Sequence, residues 1–276
     1  MTDVTMPESK AVSARRRELL DYVIEHGGAQ IDELVERFST SRMTVHRDLH
    51  ALAEQGFVRK IHGGVTTLSN GIVESSVLHR SRRASHEKKA IAAMAAQLIE
   101  PGQIIALDDS TTARFLASNL LHIGSLTVMT NSLGIATTLA GVRDINLVSL
   151  GGRYNPTFDA FFGILCEQSI QALRANTLFM SVSAIHGLTT YHQEQDIVKA
   201  KHALMKIVDR RILMVNSTKF GMSALNRLAD LSEFDLVITD SKIDPVIKSK
   251  ILDAGINLKI AALSPESVVE RTEEAA

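Results

Sequence analysis

Apolar residues recur along the first sixty positions with the period of short helices, and then with that of strands. In A-R-R-R-E-L-L-D-Y-V-I-E-H-G-G, Leu19, Leu20, Val23 and Ile24 make one helical stripe that Gly27 and Gly28 stop. A second helix, Q-I-D-E-L-V-E-R-F, turns Ile31, Leu34, Val35 and Phe38 inward. After the joint Ser39-Thr40-Ser41, a third helix carries Val45, Leu49 and Leu52 at spacings of four and three, with Ser41 as its N-cap. Beyond Gly56, F-V-R-K-I alternates apolar with charged residues, and after His62-Gly63-Gly64 the run V-T-T-L returns as a second strand. Short helices on a tight joint followed by a hairpin predict a winged helix-turn-helix domain over residues 11–68.

From Leu68 to His86 the periodicity fades and Ser, Asn and Gly rise, so residues 69–86 read as a linker with Arg80, Arg82 and Arg83 embedded. The helix E-K-K-A-I-A-A-M-A-A-Q-L-I then opens a second domain, residues 87–265, and ends at Pro101-Gly102. Short apolar runs follow, Q-I-I-A-L, L-T-V-M, I-N-L-V-S-L, T-L-F-M-S-V, R-I-L-M-V, F-D-L-V-I and I-N-L-K-I. Helices are expected between them over Thr112 to Leu121, after Ser132, from about Asp159 to Leu173, and near Pro245 to Ala254. This alternation predicts an open, mostly parallel α/β sheet covered on both faces. Residues 1–10 and 266–276 read as polar tails, the first of them disordered.

Composition narrows the function. The 276 residues, 45% hydrophobic, suffice for two domains with real cores. Cys166 is the only cysteine, which rules out a disulfide framework and a Cys-rich metal site. No apolar run nears the roughly 18 residues of a membrane span. A soluble cytoplasmic protein is expected, with no membrane partner, cofactor or metal. Net charge is −1, and the first 62 residues hold nine Lys and Arg against ten Asp and Glu. Affinity for nucleic acid must therefore come from where the charges stand. The absence of Trp and 4% aromatic content argue against a surface built on stacked bases.

Placement of charge favours duplex DNA. Arg42, Met43, Thr44, His46 and Arg47 crowd the face of the third helix opposite its apolar stripe, a short cationic surface suited to the major groove. Arg59, Lys60 and His62 stand on the wing, where phosphates are within reach. Arg15, Arg16 and Arg17 enter the first turn of the first helix, where the dipole disfavours cations; a DNA phosphate or plain solvation would ease that.

The second domain offers different chemistry. In a parallel sheet, ligands gather at the carboxyl ends of the strands. Those ends lead into Asp108-Asp109-Ser110-Thr111-Thr112, Thr130-Asn131-Ser132, Gly151-Gly152-Arg153-Tyr154 and Asn216-Ser217-Thr218-Lys219. Hydroxyls and helix-start amides there suit an anion such as a phosphate, although any single loop is as readily an ordinary capped turn. Tyr154, His186, His192 and Glu194 could supplement such a pocket.

S-T-S-R-M-T-V-H-R-D-L and L-A-E-Q-G-F-V-R-K-I-H-G-G-V resemble the winged-helix signature of DeoR-type bacterial transcriptional regulators, the match running from Arg15 to Val65. His46 stands where that family usually has the first of two arginines, and a shorter, mostly neutral imidazole re-aims or weakens that contact. D-D-S-T-T, T-N-S, L-G-G, Gly163 and N-S-T-K-F-G resemble the family's effector domain, whose fold is similar to ribose-5-phosphate isomerase. The resemblance implies a sensor of phosphorylated sugars, with Asp108, Ser110, Thr111 and Thr112 as a phosphate and hydroxyl cradle and Lys219 as a charge on the ligand. Asn131, Ser132, Gly151, Gly152 and Tyr154 complete the expected effector site. Ser110 in place of a glycine, Asn216 in place of an aspartate, and S-V-S-A-I at Ser181 to Ile185 depart from the pattern.

The expected function is a sequence-specific transcriptional regulator, a repressor of a carbohydrate or polyol catabolic operon, released by a phosphorylated sugar or related metabolite. A homodimer or homotetramer is expected, because helix-turn-helix proteins address two half-sites. The alternative is a sugar-phosphate isomerase with an appended DNA domain. Only Asp108 or Asp109 could then serve as base, and the isomerases' acidic loop has no counterpart at Ser181 to His186. A protein-interaction adaptor is the third reading.

Overall fold

The computed structural model describes residues 15–263 apart from 17, 21, 24, 25, 27, 55–57 and 68–76. The tails expected at 1–10 and 266–276 and the first part of the expected linker lie outside the described residues. The chain forms two compact units, Met1–Ser75 and Ser76–Ala276.

In the first unit, the described positions from Arg15 to His26 are helical. They are followed by β1 (Gly28–Gln30), α1 (Ile31–Arg37), α2 (Arg42–Glu54), β2 (Val58–Ile61) and β3 (Gly64–Thr67). Leu19, Val23, Leu34, Val45, Leu49, Val58 and Val65 close one core. Burying each such side chain stabilises the fold by roughly 1.5–3 kcal/mol. Ser41 caps α2 as expected, its Oγ accepting from the Thr44 amide at 3.2 Å.

Strand β1 is a departure. Gly28 does not merely stop a helix: it opens a strand that pairs antiparallel with β3, giving a three-stranded order β1-β3-β2. A side chain at Gly64 would put its Cβ 2.6 Å from the Ala29 carbonyl, so glycine alone lets these backbones meet. Gly64→Ala is expected to lower stability by about 1–3 kcal/mol, as overpacking does, and thermal unfolding of the purified variant checks this.

The second unit adds α3 (Val77–Arg82), α4 (Ser85–Ala96), β4 (Ile104–Leu107), α5 (Thr111–Asn119), β5 (Leu126–Thr130), α6 (Leu133–Leu139) and β6 (Ile145–Ser149). It continues through β7 (Arg153–Asn155), β8 (Ala160–Phe162), α7 (Ile164–Gln171), β9 (Ala175–Met180), β10 (Ala184–His186), β11 (Thr189–His192) and α8 (Gln195–Lys206). The last elements are β12 (Val208–Met214), β13 (Asn226–Asp230), β14 (Leu236–Asp240), α9 (Pro245–Asp253) and β15 (Leu258–Ala261). Seven strands form one parallel sheet in the order β15-β14-β12-β9-β4-β5-β6. Alternation along the strands supplies both faces. Ile105, Leu107 and Val128 pack with α4, α5 and α6, whereas Ala106, Leu178 and Val237 pack with α7, α8 and α9.

Three expectations fail in this unit. Residues 77–86 are not linker: α3 is docked, the Val77 amide donating to the Thr157 carbonyl at 3.0 Å, and α4 begins at Ser85. The helix expected from Asp159 starts only at Ile164, because Ala160–Phe162 pairs with Arg153–Asn155 and Gly163 turns the chain at φ 89°. Helix α8 and a second sheet, β10-β11-β13, fill a stretch where no elements were expected.

The strand order also locates a break in winding. From β4 the chain runs outward through β5 to β6, then returns to β9 on the other side of β4. The topology therefore puts a switch point at the carboxyl ends of β4 and β9, the β4–β9 crevice in which open sheets of this kind take ligands.

Candidate functional site

On α2, the apolar stripe faces the core and leaves Arg42, Met43, His46 and Arg47 exposed, with Thr44 half-buried beside Ser41. Met43 is 77% exposed, unusual for a large apolar side chain and consistent with a surface kept for a partner. Met43, His46, Arg47 and His50 of α2 and Lys60 of β2 line one groove of about 560 Å³. Arg59, Lys60 and His62 are all exposed on the hairpin. Arg42 also reaches Asp32 of α1 at 3.2 Å, an exposed pair of small energetic weight.

The basic first turn has an internal solution. Arg15 Nε and Arg16 Nε donate to the two carboxylate oxygens of Asp48 at 2.7 and 2.8 Å, and Asp48 is buried in α2. Burial works against that carboxylate, but the hydrogen bonds and charges of the two arginines outweigh it and hold its pKa below the ordinary range. For these two residues, neither solvation nor an external phosphate is the principal partner; Arg17 lies outside the described residues. The expectation of no metal passes over the helical spacing of His46 and His50, one turn apart. Among the described residues, no three His, Cys, Asp or Glu side chains are gathered so as to hold an ion.

In the second unit, the expected loops after β4, β5, β6 and β12 share the carboxyl edge of the sheet, because all its strands are parallel. The first two loops are buried: Asp108, Ser110, Thr111, Thr112, Asn131 and Ser132 are each at most 8% exposed. Gly151 and Tyr154 are exposed, and Gly152 is partly so. Lys219 sits in a short turn after β12, with β9 between that strand and β4.

The site is built around a lysine that the sequence reading misses. Lys201, on α8, is 2% exposed and bonds through Nζ to Asp108 Oδ2 and, at 3.2 Å, to Asp109 Oδ1. Asp108 further accepts from the Ser110 amide at 3.0 Å and, across the β4–β9 crevice, from the Ser181 amide at 2.8 Å. Its role is thus to stitch the crevice rather than to form an open cradle. Burial opposes ionisation of both Lys201 and Asp109, yet each charge outweighs that cost for the other. Lys201 is raised above its ordinary pKa by Asp108 and Asp109, and Asp109 is lowered by Lys201, with His192 and Arg80 adding to the effect. The sequence does carry a signal. Lys201 lies within the stripe Ile197, Val198, Leu204 and Met205, where a charged residue demands a buried partner.

Ser110 caps α5 by accepting from the Ala113 amide at 3.1 Å, and Ser132 caps α6 by accepting from Ile135 at 3.4 Å. The amides and hydroxyls of Thr111 and Thr112 bond to none of the described residues. They form the open part of the site, at a helix start whose dipole favours an anion. Beside them, Arg114 binds Asp159, which also accepts from Tyr154 Oη at 2.7 Å. The guanidinium of Arg114 occupies the space of a side chain at Gly134, where a Cβ would come within 1.9 Å. His192 is 3% exposed and touches Phe158, while His186 and Glu194 are exposed. Cys166 is buried and its thiol is pushed up to about 12, chiefly by burial, with Glu167 and Asp109 adding to the shift.

Comparison with known proteins places both units. Residues 15–70 match the DeoR-like helix-turn-helix domain, and residues 83–241 match the DeoR C terminal sensor domain. The uncharacterized HTH-type transcriptional regulator YgbI of Escherichia coli is 32% identical, over 90% of this chain and 97% of its own. The glycerol-3-phosphate regulon repressor of the same species is 28% identical, over 89% of this chain and 98% of its own. A ribose 5 phosphate isomerase A structure from Neisseria gonorrhoeae aligns at 14% identity and a TM-score of 0.35, over 48% of this chain and 52% of that one. Among the described residues no helix is long and apolar enough to cross a membrane. The chain belongs to the DeoR family of helix-turn-helix transcriptional regulators.

Proposed function

We propose that the protein represses a carbohydrate or polyol catabolic operon and leaves its operator when a small phosphorylated sugar or related metabolite occupies the β4–β9 crevice. The observation that carries the sensor reading is the pair of Thr111 and Thr112 at the start of α5, whose amides and hydroxyls bond to none of the described residues. Relatives support the repressor reading: the glycerol-3-phosphate regulon repressor and the putative aga operon transcriptional repressor of Escherichia coli are repressors by their names. Asn131 and Ser132 are the nearer expected contacts, Tyr154 and Lys219 the outer ones, and Gly151 and Gly152 the rim.

A sensor fits better than a catalyst. Both oxygens of Asp108 are engaged, and the ion pair with Lys201 lowers the basicity of Asp109, so neither is poised as a base that takes a proton from a sugar carbon. Operator half-sites call for a dimer or a pair of dimers.

DNA reading is assigned to Arg42, Met43, Thr44, His46 and Arg47, with Arg59, Lys60 and His62 on the backbone. Arg47→Ala and Arg42→Ala are each expected to cost about 1–3 kcal/mol of operator affinity and to relax specificity, while Lys60→Ala weakens all sequences alike. Gel-shift titration against specific and scrambled DNA at fixed salt separates the two classes. Equal loss on both DNAs for every variant would remove the base-reading assignment. The sensor half is tested by thermal shift with phosphorylated sugars and polyols, a bound one raising stability by a few kcal/mol at concentrations well above its dissociation constant.

A further inference from the structure

Helix α3 is the first element of the second unit, reached from the DNA-binding unit through residues 68–76. It packs on α5, the helix whose first turn is the open part of the crevice. Its fastening converges on one corner of the chain. The Val77 amide donates to the Thr157 carbonyl at 3.0 Å, and Arg80 Nη2 reaches the same carbonyl at 3.4 Å. The Arg80 guanidinium lies 4.8 Å over the Phe158 ring, a cation–π contact. The next residue of that corner, Asp159, holds Arg114 of α5 and Tyr154, and its φ of 52° is a strained setting for a residue with a side chain.

The other end of α3 is a tight joint. Ala84 joins α3 to α4 at φ 53°, ψ 40°, a left-handed conformation that alanine adopts only under constraint. Lys88, 5% exposed, reaches back to the Arg80 carbonyl and holds the final turn. One cation is thus anchored by its backbone to α4, by its ring contact to the corner, and by its charge to the neighbourhood of Asp109.

We propose that Arg80 is the coupling residue of the sensor. An anionic group seated on the Thr111 and Thr112 amides draws the Arg80 guanidinium toward it and clamps α3, the first element of the second unit, to α5. This rests on the reading of the crevice as a phosphorylated-metabolite site. Two arrangements of one element, biased by a ligand, are what coupling between distant sites requires.

The test uses the full chain, its operator and the sugar phosphate giving the largest thermal shift on wild type, with inorganic phosphate as the minimal anion. In wild type, the sugar phosphate slows amide hydrogen exchange over residues 77–82 and releases the operator. Arg80→Ala is expected to bind operator within about twofold of wild type without ligand, to show no slowing over 77–82, and to need about tenfold more sugar phosphate for half-release. Arg80→Lys keeps the charge without the planar stacking and is expected to fall between, which guards against a folding defect in the alanine variant. Wild-type release and exchange in both variants would overturn the coupling role while leaving the sensor reading intact. If wild type neither shifts nor releases with any phosphorylated probe, both fall together.

Discussion

Lys201→Met is expected to destabilise the second unit by about 3–5 kcal/mol, the cost of removing one partner from a buried ionic cluster. The reason is geometric. Asp108 and Asp109 are 0% and 2% exposed, and with the ammonium gone two carboxylates face each other in the low-dielectric end of the sheet. Urea unfolding of the variant measures the loss. Lys201→Met combined with Asp109→Asn is expected to recover part of it, because the second change removes the charge left stranded. An unchanged midpoint in the single variant would show that the cluster carries no stability.

The same cluster sets a pH dependence at both ends. Asp109 is lowered, so its stabilisation is complete above the ordinary carboxylate range and is lost as pH falls through its folded value. Lys201 is raised, so its contribution is complete below the ordinary lysine value and is lost as pH rises through the higher folded one. Neutral pH lies between, where both hold in full.

Asp48→Ala is the second large effect. It removes two charged hydrogen bonds that tie the first helix to α2, each worth about 1.5–3 kcal/mol at most and less here, because Arg15 and Arg16 are 30% and 15% exposed. A loss of about 3 kcal/mol in the first unit is expected. Operator binding should split in an informative way: specific affinity falls as α2 loses its seating, whereas salt-sensitive binding to scrambled DNA rises because a negative charge has gone. The stabilisation is present above the ordinary carboxylate range and disappears as pH drops through the lowered value of Asp48. Affinities that fall on both DNAs in the same proportion would point instead to global unfolding.

Elements with strong local periodicity were legible in the sequence. The stripe Val45, Leu49, Leu52 gives α2 with its cap, and the β-branched runs give every strand of the parallel sheet. Parts whose cause is remote were not. The Lys201 cluster joins residues 93 apart in the chain, and Arg15 finds its carboxylate 33 positions away, beyond anything a spacing rule detects. The hairpin at residues 153–162 was hidden for a local reason: A-F-F-G-I-L-C is equally apolar as strand or helix, and Gly163 decides the boundary. Helix α3 reads as linker in the sequence because its stability lies in the Thr157 corner rather than in its own six residues. The expected effector loops stand at one edge of the sheet, as a parallel order requires, but which of their groups carry no bond to a described residue, Thr111 and Thr112 rather than Asp108, is a matter of hydrogen-bond accounting.

The buried thiol has a practical consequence. Cys166, with its proton held to about pH 12 and its sulfur enclosed against the chain, will be slow toward maleimides and iodoacetamides at neutral pH. It is also the only cysteine in the sequence. A single exposed cysteine introduced on the surface of each unit would therefore take a dye cleanly in an otherwise wild-type chain. The distance between operator-reading and ligand-sensing halves then becomes readable by fluorescence energy transfer as sugar phosphate is added.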